Sequence, residues 1–281
     1  MKITIVTTVY NGMPWLPECI ESVASQRADG VDLEHLVFDG GSTDGSAEWL
    51  REHASLGYQA VIGPDDGQTD ALIKGFDAAT GEILGWLNAD DLLEPGALKR
   101  VADVFASHPG LAMTTAACLL IDADGTITGA IAPPPASTLD GLLRHPTNPA
   151  QPATFFSADA YRRSGGLDRK YDLAMDVDLW LKLAAAGPIQ VLSGDVLARF
   201  RVHPDAKSVA GHSAAVRQDL RIRRLHGMPL RSGAGIQLID LGYIRPVLSP
   251  WKRGLRRVAR FVVLGRRRSG SGAPGTRHGG S

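Results

Sequence analysis

TGEILGWLNADD, residues 80–91, decides the fold. Residues 83–87 (ILGWL) form a short apolar run that reads as a buried strand. It follows Gly81 and ends in Asn88-Ala89-Asp90-Asp91. Upstream, residues 70–79 have helical spacing and Gly81 closes them. Further back, 59–62 reads as a strand, 46–53 as a helix, and 35–38 as a strand ending at Asp39-Gly40-Gly41. Before these, Leu16, Ile20, Val23 and Ala24 share one face of a helix over 16–26. The β-branched run 2–8 (KITIVTT) is a first strand, broken by Tyr10-Asn11-Gly12. Downstream, 95–107 reads as a helix. Strand and helix alternate to about residue 110. That pattern predicts an α/β fold with a parallel sheet covered by helices.

Sheets of this kind bind ligands outside the carboxyl ends of their strands. The polar clusters 7–11, 39–44 and 88–91 all fall there. Any one of them is also an ordinary polar turn, but three on one edge point to a site. Beyond residue 110, strands are predicted at 112–120 and 126–131, joined at the hairpin signal Asp124-Gly125. Pro-rich loops follow at 133–135 and 145–152. A short helix at 159–163 precedes Gly165-Gly166. An amphipathic helix is expected at 176–186, and late strands at 189–192 and 196–201. No internal repeat is present.

The 281 residues, 44% hydrophobic and 21% charged, fit a globular chain of one large domain with appendages. Two cysteines, Cys19 and Cys118, make neither a disulfide framework nor a thiolate metal site, so a reducing compartment is expected. The opening apolar run is too short for a signal peptide. No stretch reaches the roughly 18 consecutive apolar residues of a membrane span. All acidic residues lie at or before Asp240, whereas ten of the 30 basic ones follow it, so an acidic body precedes a basic tail. An acidic body argues against nucleic-acid binding.

The residues at the strand ends suggest chemistry. Asp90 and Asp91 repel each other unless a cation or a donor compensates. A hard divalent ion shared with substrate phosphates is a natural partner, and a helix cap is the plainer one. In Asp39-Gly-Gly-Ser-Thr-Asp44-Gly, glycines admit a ligand close to the backbone, and an acid there can accept from a base or ribose. The same residues also suit a turn capping the next helix. Asp176 and Asp178 stand at a helix start, where the dipole favours a carboxylate. His203 is either a metal ligand or a structural histidine.

TTVYN (7–11), DGGSTDG (39–45), DDGQTDALIKGF (65–76), TGEILGWLNADD (80–91), QPATFF (151–156), GGLD (165–168), AMDVDLW (174–180) and FRVHPDAKS (200–208) occur in a telling order. In order and approximate spacing the set resembles family 2 glycosyltransferases, over about residues 1–210. The resemblance implies a GT-A fold, Rossmann-like, with a mostly parallel sheet flanked by helices. It implies a metal-dependent, inverting, non-processive transfer of a sugar from a nucleotide diphosphate, a UDP-sugar being favoured. By the same resemblance Thr8, Tyr10, Asp39, Asp70 and Lys74 meet the nucleotide. Asn88, Asp90, Asp91 and Arg201 meet the donor sugar and diphosphate. Asp90 with His203 holds Mn²⁺ or Mg²⁺, and Asp176 is the catalytic base. The acceptor is then a glycan or a lipid-linked hydroxyl, in cell-envelope or exopolysaccharide synthesis.

The chain departs from the pattern at three places. Asn88 replaces the first Asp of Asp-x-Asp, Met175 replaces the Glu before the base, and Ile73 replaces a common Asn. Asp178 is a candidate to share the role lost at 175. No Gln-x-x-Arg-Trp motif follows the base, which argues against a processive synthase. The rival reading is a catalytically degenerate homologue that only binds nucleotide-sugar or glycan. A nucleotidyltransferase would need a Gly-rich, basic loop after the first strand, and TTVYNGMPW has none.

The domains expected are a transferase domain over 1–210, a basic amphipathic extension over 211–268 and a disordered tail over 269–281. The first divides into a nucleotide-sugar half, 1–110, and an acceptor half, 111–210. In 250–268, Trp251, Leu255, Val258 and Val262 fall at helical spacing among arginines. Such a helix suits an anionic membrane surface, or equally packs on the acidic body. The location expected is cytoplasmic, with peripheral attachment to the inner membrane face if the first reading holds.

Overall fold

The computed structural model describes residues 1–145, 147–204, 206, 207, 211–229 and 235. Its centre is one mixed sheet. Four parallel strands stand in the order β3 (Gln59–Ile62), β2 (Asp32–Asp39), β1 (Lys2–Val9), β4 (Ile83–Asn88). Next to β4 the sheet continues through β8 (Thr154–Ser157), β6 (Met113–Ile121), β9 (Ile189–Arg201) and the short β5 (Leu92–Leu93). β8 runs antiparallel to both β4 and β6, β9 parallel to β6, and β5 antiparallel to β9. β7 (Ile127–Ile131) pairs antiparallel with β6, as the Asp124-Gly125 signal predicts.

Successive strand residues point to opposite faces, and the sequence supplies apolar side chains to both. Ile3, Ile5, Ile83, Leu87 and Phe155 meet α1 (Leu16–Ala24) and α4 (Ala97–Ser107) on one side. Val6, Trp86 and Phe156 meet α3 (Gln68–Ala78) and α7 (Met175–Ala186) on the other. There Trp86 of β4 stacks on Trp180 of α7 at 5.3 Å between ring centres, and Phe76 and Tyr161 complete the aromatic cluster. The remaining helices are α2 (Ser46–Glu52), α5 (Leu139–Arg144), α6 (Ala158–Ser164) and α8 (His212–Leu225).

Some elements differ from expectation. The two late strands are one, β9. Ser193-Gly194-Asp195 resembles a turn but is looped out as a bulge, because Leu192 pairs with Ala116 and Val196 with the adjacent Ala117. The helix expected to be amphipathic, α7, is buried nearly all round, since α8 covers the side the sheet leaves open. Leu220 and Ile222 of α8 enter the main core. The expectations for 250–268 and 269–281 lie outside the described residues. Cys19 and Cys118 are both buried free thiols. Among the described residues no helix is long and apolar enough to cross a membrane.

Candidate active site

The carboxyl ends of β1, β2 and β4 form the edge at which the expected residues gather. After β1 the chain turns sharply at Asn11, which adopts the left-handed conformation (φ 52°). Asn11 is tied to the loop after β2: its N–H donates to Ser42 Oγ, and its Oδ1 accepts from Thr43 N–H. Asp44 accepts from Met13 N–H at 2.8 Å and from Ser46. This lacing leaves Tyr10 projecting, 73% exposed, beside the loop.

Asp39 is almost fully buried at the tip of β2. Its Oδ1 accepts the N–H groups of Gly41 (3.1 Å) and Ser42 (3.0 Å), whereas its buried Oδ2 has no partner. A buried acceptor without a donor is costly, and a ligand donor is the natural remedy. Asp65, in the loop after β3, lies over Gly40. A Cβ there would stand 2.9 Å from Asp65 Oδ2, so any side chain at the second residue of Asp-Gly-Gly would push that carboxylate aside.

At the end of β4, Asp90 and Asp91 part company. Asp91 turns inward and is fully buried. Its Oδ1 accepts Arg201 N–H at 2.9 Å and its Oδ2 accepts from Asn88 at 3.3 Å. Burial, then the neighbouring Asp90 charge, pushes its carboxyl well above the usual range. Asp90 stays partly open, with its Oδ2 3.0 Å from His203 Nε2. Arg201 is also sealed in. Its guanidinium donates to the carbonyls of Asp90, Asp122 and Ala123 and to Glu18 Oε2, and it lies over Trp15. Asp91 and Arg201, both expected at the donor, therefore form the wall behind Asp90. Asn88 is fully engaged too: its amide donates to Asp91 and Gln151 and accepts from Gln68 Nε2 at 2.7 Å.

Among the described residues no group of three or more His, Cys, Asp or Glu side chains assembles to hold a metal. Asp90 and His203 offer one carboxylate and one imidazole. That donor set fits a hard divalent ion completed by substrate phosphates and not one held by protein alone.

Asp70 and Lys74, expected at the nucleotide, pair with each other at 2.5 Å on α3, and Arg169 adds a second cation to Asp70 at 2.9 Å. The Lys74 and Arg169 hydrogen bonds hold the Asp70 carboxyl below its ordinary value, against the effect of burial. This pairing, with Thr69 Oγ1 donating to Tyr171 O, fastens residues 169–171 to the start of α3. Gln68 of α3 in turn touches Asn88. The N-terminus of α7 is thus brought toward the carboxyl end of β4.

Asp176, the second residue of α7, is half-buried, and its Oδ1 accepts the N–H of Val177. Burial raises its carboxyl to about 6 despite that hydrogen bond; Asp219 adds to the rise and Arg223 offsets it. Asp178 does not share the role. Two residues on, about 200° around the helix, it points to His226 (3.1 Å) and Lys182 (2.6 Å). Burial alone would raise its carboxyl, but those hydrogen bonds hold it below the ordinary range. Met175 is packed in the core.

Sequence reasoning missed Asn11, Asp65, Gln68, Gln151 and Arg169. Most sit in stretches whose pattern was evident, but only tertiary contacts give them a part.

A parallel sheet with acidic strand ends, extended by a mixed half bearing a half-buried carboxyl, defines a GT-A fold. Two solved structures align with it over most of its length. TarS 1–349 of S. aureus, in complex with UDP-GlcNAc, matches with a TM-score of 0.60 and 15% identity, covering 86% of this chain and 71% of that one. The mannosyltransferase PcManGT of Pyrobaculum calidifontis, in complex with GDP-Man and Mn²⁺, matches at 0.59 and 16%, covering 92% and 78%. Residues 4–128 match the family model described as glycosyl transferase family 2. An uncharacterized glycosyltransferase of Nostoc is 37% identical over 108 residues, which are 37% of this chain and 33% of that protein. The chain thus spans a third of that relative's length.

Proposed function

We propose that the chain is an inverting, non-processive glycosyltransferase that moves a sugar from a nucleoside diphosphate, UDP in the first instance, to an acceptor hydroxyl. One observation carries the reading: a carboxylate with raised basicity, Asp176, stands on a helix fastened against the strand end that presents Asp90. A mere binding module has no need of a basic carboxyl there, and a base must be held within reach of the proton it takes. The solved relatives carry UDP-GlcNAc and GDP-Man, so a nucleotide-sugar donor suits the fold.

Asp39 Oδ2 would accept a hydrogen bond from the base or ribose, with Tyr10 beside it. Asp90 and His203 would hold the divalent ion, Mn²⁺ or Mg²⁺, which when bound supplies positive charge against the leaving diphosphate. Asp91 and Arg201 keep Asp90 in place from behind. Asp176, ionised, takes the acceptor hydroxyl proton. The acceptor oxygen forms its bond to the anomeric carbon from the face opposite the diphosphate. The anomeric carbon's bond to the diphosphate breaks, and its electron pair leaves with the diphosphate oxygen. One displacement inverts the centre.

Calorimetric titration of UDP with and without Mn²⁺ tests this on the wild type and Asp90→Ala. Metal-dependent binding that the substitution abolishes is expected. No binding of UDP, GDP or dTDP under any condition defeats the reading. The acceptor class, a glycan or lipid-linked hydroxyl of the cell envelope, belongs to the same proposal. So does docking of the basic segment 250–268 on an anionic membrane. Liposomes that float the chain equally well with and without residues 245–281 exclude that docking.

A further inference from the structure

Helix α7 has no cap of its own. Ala174, at its N-cap, offers no side-chain acceptor to the unpaired N–H groups of a helix start. Gln218 of α8 instead holds the two residues that lead into the helix. Gln218 Oε1 receives the N–H of Leu173 at 3.1 Å and of Ala174 at 2.8 Å, and Gln218 Nε2 donates to Asp172 Oδ1 at 3.3 Å. These three bonds fix the orientation of the amide, because a reversed one would set N–H against N–H.

The anchor is itself rigid. Beside Gln218 on α8, Asp219 pairs with Arg223 at 2.5 Å, both buried. Arg223 also donates to the carbonyls of Leu142, Leu143 and His145 and to Asn148 Oδ1, and Asn148 Nδ2 donates to Asp219 Oδ2. At the far end of the contact His226 holds Asp178. Asp176 therefore faces Asp219 and Arg223 from α8 and the Val177 N–H on its own helix. Asp178 and Lys182 face away, paired with each other, and Asp172 is turned to Gln218.

We propose that Gln218 is a positioning residue: it pins the turn entering α7 and so sets where the Asp176 carboxylate stands. The inference rests on the reading of Asp176 as the base. Misplacement of a reacting group by about 1 Å costs on the order of 10²-fold in rate, and Gln218 is the side chain that ties down the residues immediately before Asp176's helix.

Two measurements on the full chain test it. Carboxyl NMR of the ¹³C-aspartate protein follows Asp176, identified by the signal missing in Asp176→Asn. Release of UDP from UDP-N-acetylglucosamine into water, with Mn²⁺, is scored per UDP-binding site counted by titration, so misfolded protein does not enter. Gln218→Ala is expected to return the Asp176 titration toward the ordinary carboxylate range, as water reaches the turn. It is expected to lower kcat about tenfold or more with UDP affinity unchanged. Gln218→Glu restores an acceptor and is expected to recover turnover above pH 7, with the acidic limb of the profile displaced upward. Gln218→Met, which keeps the volume and lacks the acceptor, stands in if the alanine variant does not fold. An unchanged Asp176 titration and unchanged turnover per site, whatever the change in Tm, overturn the proposal. Wild-type turnover in Asp176→Asn defeats the base reading instead, and the carboxyl titration still decides on Gln218. If this donor is not turned over, the titration alone decides.

Discussion

Asp176 is held where an ionised carboxylate is disfavoured, and this has opposite consequences for rate and stability. As the proposed base it would work only ionised, so turnover is expected to fall as pH drops through about 6. Asp176→Asn removes the base and should cost about 10²–10⁴-fold in transfer. Because its folded value lies above its unfolded one, the folded state takes the proton first, and stability declines as pH rises from about 4 to about 6. Above that window the charge is a standing cost. Asp176→Asn should therefore stabilise the protein at pH 7, by on the order of 1–2 kcal/mol once water around the half-open carboxyl is allowed for. Denaturant melts of both proteins at pH 7 check this; a less stable asparagine variant contradicts it. At Gly40 the argument is steric. Gly40→Ala crowds Asp65 Oδ2 and should weaken UDP binding roughly tenfold by displacing that carboxylate, a loss that calorimetry would register.

Among the elements, α3 and its strand show how tightly the first part of the sheet is built. A Cβ on Gly75 would meet Val6 Cγ1 at 2.5 Å and Val6 Cγ2 at 3.0 Å. Gly75→Ala must lift α3 off β1, at about 1–3 kcal/mol, and with it Gln68 and Asp70 at the site. A drop in unfolding midpoint together with weakened nucleotide binding is expected; loss of neither would show that α3 yields freely. The two-residue β5 apart, the strands and helices up to residue 107 were legible because each carries its own period and breaker, as Ile83 to Leu87 does before Asn88. β8 was missed: four residues, Thr154–Ser157, carry no period, and only pairing with β4 and β6 makes them a strand. Asp39, Asp90 and Asp176 could be picked out as strand-end or helix-start carboxylates. That Asp91 and Arg201 face inward could not, because adjacent residues at a strand end part to opposite sides and the chain does not say which meets water. Gln218 was equally hidden: nothing in a polar helix marks the one amide that meets another helix's end.

Across the whole molecule, the strands before and after residue 110 share one sheet, so a change in the stability of either part is felt at the site. His35 offers a way to read that stability. It is 2% exposed on β2, and its Nε2 lies 2.9 Å from Thr7 Oγ1 on β1. Burial, then the nearby Arg27 charge, lowers its value to about 3. The folded protein therefore refuses a proton that the unfolded chain accepts near 6.5. Its contribution is complete above that pH and is lost as pH falls toward 3, by up to about 1.4 kcal/mol per unit. Asp176 and Asp91, whose values are raised, act in the opposite sense. Glu34 acts in the same sense at lower pH: burial would raise it, but hydrogen bonds from Thr4, Thr80 and Lys2 take it to about 2. A single acid titration thus mixes signs, and the difference between two proteins separates them. His35→Gln keeps a polar partner for Thr7 and does not titrate. Whatever it costs at pH 7.5, that cost should shrink at pH 5.5 by about 1 kcal/mol, measured as the gap between urea unfolding curves of the two proteins. A gap that stays constant between those pH values means that His35 takes up its proton in the folded state as readily as in the unfolded chain, and that the floor beneath β1 and β2 admits water.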